Sequence, residues 1–374
     1  MLTDKERKYL DNKYALRSRG GDNALLGSVM RYIRKSRQIL DPTKTFSVFE
    51  TNGLIQLWLQ TPACRFSKEG KCTICNYWSG QRIPGLIAEI EKNVSIPENI
   101  DTILVNTCGS CLDSEELTAE EQEHLFRWLN NQPVKDIILE THMVTLSEYM
   151  VRHVREMIPE KSLFFEIGQE STDKDVQFYS LNKPMSEKGR KIILNRIRSY
   201  GAKSIVNVIV GSPFLNREEQ ICDAVDSIRD LLQEGADYVM LFPVNIKPNT
   251  LVYFLYEKGM YAPVDGNMII QVLNALPEEL LPRVGVAWYG EHREAGVIPP
   301  YVPETDRMGF NEMLASYNDS ESIEERKQHI TRLLQLEKNW VSEYSRERIE
   351  GHFAERLDRA YQFLSERYGM RDEG

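Results

Sequence analysis

The chain has 374 residues, 41% of them apolar and 27% charged, with a net charge of −10. That apolar content supports a substantial core, yet no run approaches the ~20 uninterrupted apolar residues needed to cross a bilayer, and no membrane partner is expected. The acidic balance argues against broad non-specific binding to nucleic acid, whose affinity rests on phosphate contacts, while leaving room for a local basic patch.

The N-terminal stretch from Met1 to Lys8 lacks the apolar core of a secretory signal, so a cytoplasmic location is expected. Six cysteines in that compartment point to metal or redox chemistry instead of a disulfide framework. Residues 1–19 are highly charged, and Gly20, Gly21 and Asp22 break any helix they form. With Asp22 or Asn23 as N-cap, Leu25, Leu26, Val29, Met30 and Ile33 recur at helical spacing and predict a helix packed outside the main body. Arg31, Arg34, Lys35 and Arg37 fall largely on its other faces, as a solvated surface or as a contact to nucleic acid or an anionic substrate.

From residue 53 onward, apolar strand-like runs at 53–61, 101–108, 136–142, 162–168, 204–211 and 237–244 alternate with helical patterns near 114–131, 145–158, 186–200, 216–234 and 266–280. Regular alternation implies parallel strands and predicts an α/β fold built on a partial (β/α)6 TIM barrel, with functional groups at the C-terminal strand ends. Residues 283–290 read as one further strand and 291–310 as a turn-rich connection. From about 321 the chain is charged and helical, with Ile323, Ile330, Leu333, Leu334 and Trp340 marking an apolar face, either a cap or an oligomerisation surface. The expected division is an N-terminal helical segment at 1–50, a barrel at 51–280, and a C-terminal strand and helical extension at 281–374.

Directly after the first run come Cys64, Cys72 and Cys75. The C-x-x-C pair can bring two sulfurs to one metal centre, and Gly70 allows a turn tight enough to return Cys64 to the same point. Three cysteines on a four-iron cluster leave one iron without a protein ligand, whereas a structural zinc site is closed by four. Two plainer readings compete: a zinc site formed by Cys72, Cys75, Cys108 and Cys111, or small buried hydrophobes.

The segment resembles the radical SAM superfamily, whose cluster loop follows the first barrel strand and ends in Cys-x-hydrophobic-Cys, with Ile74 as the hydrophobic residue here. The seven-residue step from Cys64 to Cys72, longer than the common three, is similar to the subgroup containing the archaeosine-forming radical SAM protein of archaea. The Elongator catalytic subunit also has a widened loop. The resemblance implies a [4Fe-4S] cluster and S-adenosylmethionine. It also implies reductive cleavage giving methionine and a 5′-deoxyadenosyl radical, with electrons from a flavodoxin or ferredoxin.

By the same resemblance, Gly109 and Ser110, in a segment similar to Gly-Ser-Phe-Leu-Asp, hydrogen-bond the methionine amino group. The plain alternative is a βα loop with Asp113 or Ser114 as N-cap. Glu170, with Gln169 beside it, meets the ribose, and Lys183 pairs with the cofactor carboxylate, a helix cap or surface pair being the alternative. Gly211 and Pro213 lie against the adenine, and Tyr77 and Trp78 shield the cluster. The resemblance runs over roughly residues 50 to 275 and extends to the segment from Pro243 to Tyr261.

Glu140 and His142 close the third run and could line a substrate cavity, although a strand-end histidine usually serves structure. Trp288, Tyr289, Glu291, His292 and Arg293 could form a substrate wall. Cys108 and Cys111 read as inert core and Cys222 as helix packing. Three functions follow: a radical SAM enzyme acting on a small molecule or natural product, favoured by the acidic charge; a tRNA-base-modifying enzyme acting on a deazaguanine side chain; and a non-catalytic zinc-binding protein.

Overall fold

The structure is a computed structural model that describes residues 1–18, 20–34, 45–51, 53–77, 80–288, 296–337 and 351–368. Two helices open the chain, α1 (Asp4–Lys13) and α2 (Ala24–Ile33), followed by β1 (Phe46–Thr51), β2 (Leu54–Leu59), a short α3 (Arg65–Lys68) and α4 (Leu86–Asn93). The body continues as β3 (Thr102–Asn106), α5 (Ala119–Asn130), β4 (Asp136–Thr141), α6 (Glu148–Met157), β5 (Ser162–Glu170), α7 (Glu187–Ser199), β6 (Lys203–Val210), α8 (Arg217–Glu234) and β7 (Tyr238–Pro243). It ends with α9 (Leu251–Glu257), α10 (Gly266–Ala275), β8 (Val284–Val286), α11 (Glu304–Asp319), α12 (Ile323–Glu337) and α13 (Phe353–Tyr368).

All eight strands form one sheet in chain order, β2 through β8 parallel, which curls into a half-barrel with helices on its convex face. The parallel strands read from sequence are therefore present, and each of the five predicted helical stretches between them contains an observed helix. Two elements differ. β1 pairs antiparallel to β2 across a turn at Gly53, and its exposed residues carry none of the buried alternation that marks a strand in sequence. The predicted helix from 114 starts only at Ala119, because Thr118 and Glu121 form a capping box there. Asp113 is accordingly no N-cap; it accepts from Arg65 Nη2 at 2.8 Å.

Convex-face residues such as Leu57, Val105, Leu139, Phe165 and Val208 are fully buried under the helices. α13 packs on α2 and the barrel: Tyr361 Oη donates to Tyr179 O at 2.6 Å and accepts from Asn23 Nδ2 at 2.9 Å. Its apolar face, Phe353, Leu357, Ala360, Tyr361 and Leu364, is thus consumed within the chain. In α12, Ile330 and Leu333 are buried while Ile323 is exposed; Trp340 lies outside the described residues. Cys222 is exposed on α8, so it is not a packing residue.

α2 sits against the cysteine loop with backbone touching backbone. Gly70, at φ +79°, leaves no room for a side chain: a Cβ there would lie 2.6 Å from Gly27 O. Gly70→Ala should therefore lower the denaturant midpoint by the equivalent of about 1–3 kcal/mol, whereas Gly85→Ala, which has a similar φ but open space, should lose less.

Candidate functional site

The loop after β2 is held by its own backbone and by one buried cation. Cys64 N donates to Tyr77 O at 3.0 Å, closing the loop, and Cys75 N donates to Cys72 O at 3.3 Å, making the tight C-x-x-C turn. Cys72 adopts φ +61°, a conformation a non-glycine residue holds only when its surroundings impose it. Part of that imposition comes from Arg34, just past α2. Its guanidinium donates to the carbonyls of Ser67, Lys71 (3.1 Å), Cys72 (2.9 Å) and Cys75 (3.0 Å). The expectation of a solvated face thus fails at Arg34, which is buried. Thr73 adds an anchor from the other side, donating through its backbone to Leu181 O and through its hydroxyl to Ser180 O. Ile74 packs against the main core.

The three sulfurs lie within one electrostatic environment. A hydrogen bond from the Cys72 thiol lowers Cys75 to about 6, and Cys72 rises correspondingly. Burial, then the charge of Cys75, pushes Cys64 up to about 12. Cys64 Sγ lies 3.3 Å from His142 Nε2, and burial, with Lys183 and Arg65 nearby, holds His142 down to about 3, hence neutral. Among the described residues no group of three or more His, Cys, Asp and Glu converges as a single bound ion requires. A four-cysteine zinc site over Cys72, Cys75, Cys108 and Cys111 is not formed. Instead, the Cys108 thiol donates to Thr61 O and the Cys111 thiol to Glu140 O, both buried. A cubane places each thiolate on a different iron, so its ligands surround a volume instead of meeting at a point.

Lys183 and Glu170 join the same rim. Lys183 Nζ donates to Glu170 Oε1 and to Gly168 O, each at 2.8 Å, and stands 5.6 Å from the centroid of the Phe66 ring. It is a buried pair, not a surface one. An ammonium has three N–H groups, and two are used. Burial disfavours the Lys183 charge, but Glu170 and the cysteines hold its pKa above the ordinary lysine value. Glu170 is itself at φ +71°, where a register shift interrupts the β5–β6 ladder. Gln169 does not join them, since its amide nitrogen donates to Ser171 O at 2.9 Å.

Gly109 and Ser110 sit under Cys64, where a Cβ on Gly109 would lie 2.7 Å from Cys64 Sγ. Their N–H groups donate to Glu116 at 3.0 and 2.9 Å, and Thr61 Oγ1 donates to the same carboxylate at 2.8 Å. Sequence reading missed Glu116; burial raises it to about 7. Gly211, at φ +120°, is cramped by Val244, Val264 and Tyr261, and Pro213 O accepts from Ser180 Oγ. Tyr77 donates its backbone N–H to Cys75 Sγ at 3.4 Å and accepts from Lys247 Nζ at 3.2 Å. Trp288 packs edge-on against Phe310. Trp78, Tyr289, Glu291, His292 and Arg293 lie outside the described residues.

The chemistry of these donors fits the implied cofactors. Three cysteines share one loop, a buried cation keeps an N–H to spare, and Ser212 Oγ, Asn245 Oδ1 and Trp288 Nε1, just past the ends of β6, β7 and β8, are buried without a hydrogen-bond partner among the described residues.

A parallel half-barrel with its cysteine loop directly after the first parallel strand is the radical SAM fold. Within that class the chain is similar to archaeosine synthase subunit beta. It is 27% identical over 222 residues to that of Methanosarcina acetivorans, covering 57% of this chain, and 26% identical over 218 residues to that of Thermococcus kodakarensis, covering 55% of this chain. The match spans 64% and 66% of those relatives' own lengths, in each case under two thirds. The solved structure of methylornithine synthase shares the fold, with a TM-score of 0.50 at 15% identity, covering 98% of this chain and 93% of that one. No family model matches the chain. The resemblance carried by the motifs is borne out, and among the described residues no helix is long and apolar enough to cross a membrane.

On the concave face, burial and then the charge of Glu166 raise Glu140 to about 8. The folded chain therefore retains a proton that an unfolded glutamate, with a pKa near 4.3, releases. Stability from this group falls as pH rises from about 5 to about 8. Glu140→Gln should flatten that decline by on the order of a few kcal/mol, read from denaturation midpoints across the window.

Proposed function

We propose that this chain is a radical SAM enzyme in which residues 51–280 carry a [4Fe-4S] cluster on Cys64, Cys72 and Cys75. We further propose that it modifies a nucleoside of RNA in the manner of its archaeosine synthase relatives, in the cytoplasm. The observation that carries the reading is the gathering of the three cysteines with the Lys183–Glu170 pair at the C-terminal rim. When bound, the cluster and S-adenosylmethionine would supply one-electron reductive cleavage of a sulfonium carbon–sulfur bond, with electrons from a flavodoxin- or ferredoxin-type donor.

The protein's task is to place and shield. Lys183 offers its remaining N–H to the cofactor carboxylate. The cofactor ammonium needs acceptors; the N–H groups of Gly109 and Ser110 already donate to Glu116, so their carbonyls and Glu116 face that role. Glu170 takes a ribose hydroxyl, and Gly211 and Pro213 let the adenine approach backbone. Ile74 and Tyr77 border the cluster. Neutral His142, donating through Nε2, and Tyr77 N–H stabilise the thiolates of Cys64 and Cys75, as hydrogen bonds to sulfur do at such centres. The runner-up substrate is a small molecule or natural product, favoured by the net charge of −10 and by the diversion of Arg34 from the surface.

Anaerobic reconstitution should give a brown protein with iron and sulfide near four each per chain. Dithionite and S-adenosylmethionine should then yield 5′-deoxyadenosine. Single changes of Cys64, Cys72 or Cys75 to Ala should abolish that product; retained cleavage in any one would remove that residue from the ligand set, and a colourless protein with stoichiometric zinc would reject the enzyme. Substrate class is decided by incubation with unfractionated tRNA. Hydrogen abstraction from tRNA is expected, and turnover of small substrates alone would select the runner-up.

A further inference from the structure

One layer below the cysteine rim, the inward side chains of five adjacent strands form a continuous polar row. Gln56 Nε2 of β2 donates to Asn106 Oδ1 of β3 at 2.8 Å, and Asn106 Nδ2 donates to Glu140 Oε2 of β4 at 2.7 Å. Glu140 stands directly opposite Glu166 in the β4–β5 register, and Asn207 Nδ2 of β6 donates to Glu166 Oε1 at 2.9 Å. A barrel interior ordinarily places apolar side chains in such a layer.

The row has more acceptors than donors. Among the described residues, the only hydrogen bond to the Glu140 carboxylate comes from Asn106 and the only one to Glu166 from Asn207, and no lysine, arginine or histidine pairs with either acid. Asn207 is only 7% exposed, and its Oδ1 is a buried acceptor without a donor. An orphaned amide oxygen beside two facing carboxylates is costly unless something brings N–H groups to it. Protonation of one acid eases the repulsion between Glu140 and Glu166, but it leaves the Asn207 oxygen unserved.

We propose that Glu140, Glu166 and Asn207 form a substrate subsite for a primary ammonium group. Three N–H groups would go to an oxygen of each acid and to the Asn207 oxygen; binding would release to solvent the proton that Glu140 keeps in the free chain, and the positive charge would supply the counter-ion that the two carboxylates otherwise lack. The inference rests on the half-barrel mouth as the substrate site, and it names the chemistry that site recognises: the group modified belongs to a molecule carrying a protonated amine. An amine seated on the floor beneath the cysteines anchors the substrate from below while its reacting carbon faces the rim.

The probe is n-butylamine, titrated calorimetrically at pH 7 into the full chain, with n-butanol and n-butylguanidine as comparisons. Weak millimolar binding of butylammonium is expected, with n-butanol silent. Glu140→Gln and Glu166→Gln should each weaken it at least about tenfold, and Asn207→Ala several-fold. A single cooperative unfolding transition in each variant, and the nearly isosteric Gln replacements, keep a folding defect separable. Equal binding of n-butanol, or unchanged binding in both glutamine variants, would make the row a purely structural proton-sharing network and overturn the proposal. Tighter binding of butylguanidine would overturn the ammonium assignment. Because the probe needs no cluster, loss of the cluster reading in the cysteine variants leaves this result standing.

Discussion

The site depends on one buried guanidinium. Arg34 draws four carbonyls of the cysteine loop toward a single charge, and with them it fixes the direction in which Cys72 and Cys75 project. A loop of this length would otherwise retain considerable conformational freedom, which a cluster would have to remove on binding. Burial lowers the Arg34 pKa and so disfavours its charge, but the dipoles of the carbonyls and the neighbouring cysteines offset that cost. The charge also suits its surroundings electrostatically, since loaded thiolates would make the loop strongly negative.

Most backbone strain follows the same geography. Among the described non-glycine residues, left-handed backbone occurs at Cys72, Glu170, Phe214 and Asn249, each in a loop or at a strand end on the C-terminal rim, at Asn182, which tolerates it readily, and, away from the rim, at Ala15 between α1 and α2. Such conformations persist where neighbouring contacts over-determine them, and here those contacts run between the cysteine loop, the turn after β5 and α9. The rim is therefore stiff without being regular, as the proposed placing of a cofactor and a substrate in one orientation would require.

Much of this was legible in the sequence, for physical reasons. Parallel strands covered by helices read as apolar runs, so β2 through β7 stood out, whereas β1, exposed at most of its positions, did not. The cysteine spacing and Lys183 were visible because rare residue types in a fixed order carry information. Arg34 was not, although it continues the stripe of Leu26 and Met30 at four-residue steps, because a charged residue on a helix ordinarily marks a solvated position. Glu116 looks in sequence like one acid among several at the start of the helix expected from 114. The pairing of Glu140 with Glu166 arises only from strand register, which no local pattern encodes.

The docking of α13 carries a temporal consequence. The helix that bears Arg34 rests on Asn23, which binds Tyr361, a residue synthesised more than three hundred positions later. While the chain emerges from the ribosome, the thiols of Cys64, Cys72 and Cys75 are made early but lack the support that finally orders α2. The ordered cysteine loop is thus a late product of synthesis: until α13 has left the exit tunnel, the N-cap of α2 lacks its Tyr361 hydroxyl and the trio of sulfurs rests on contacts made earlier in the chain.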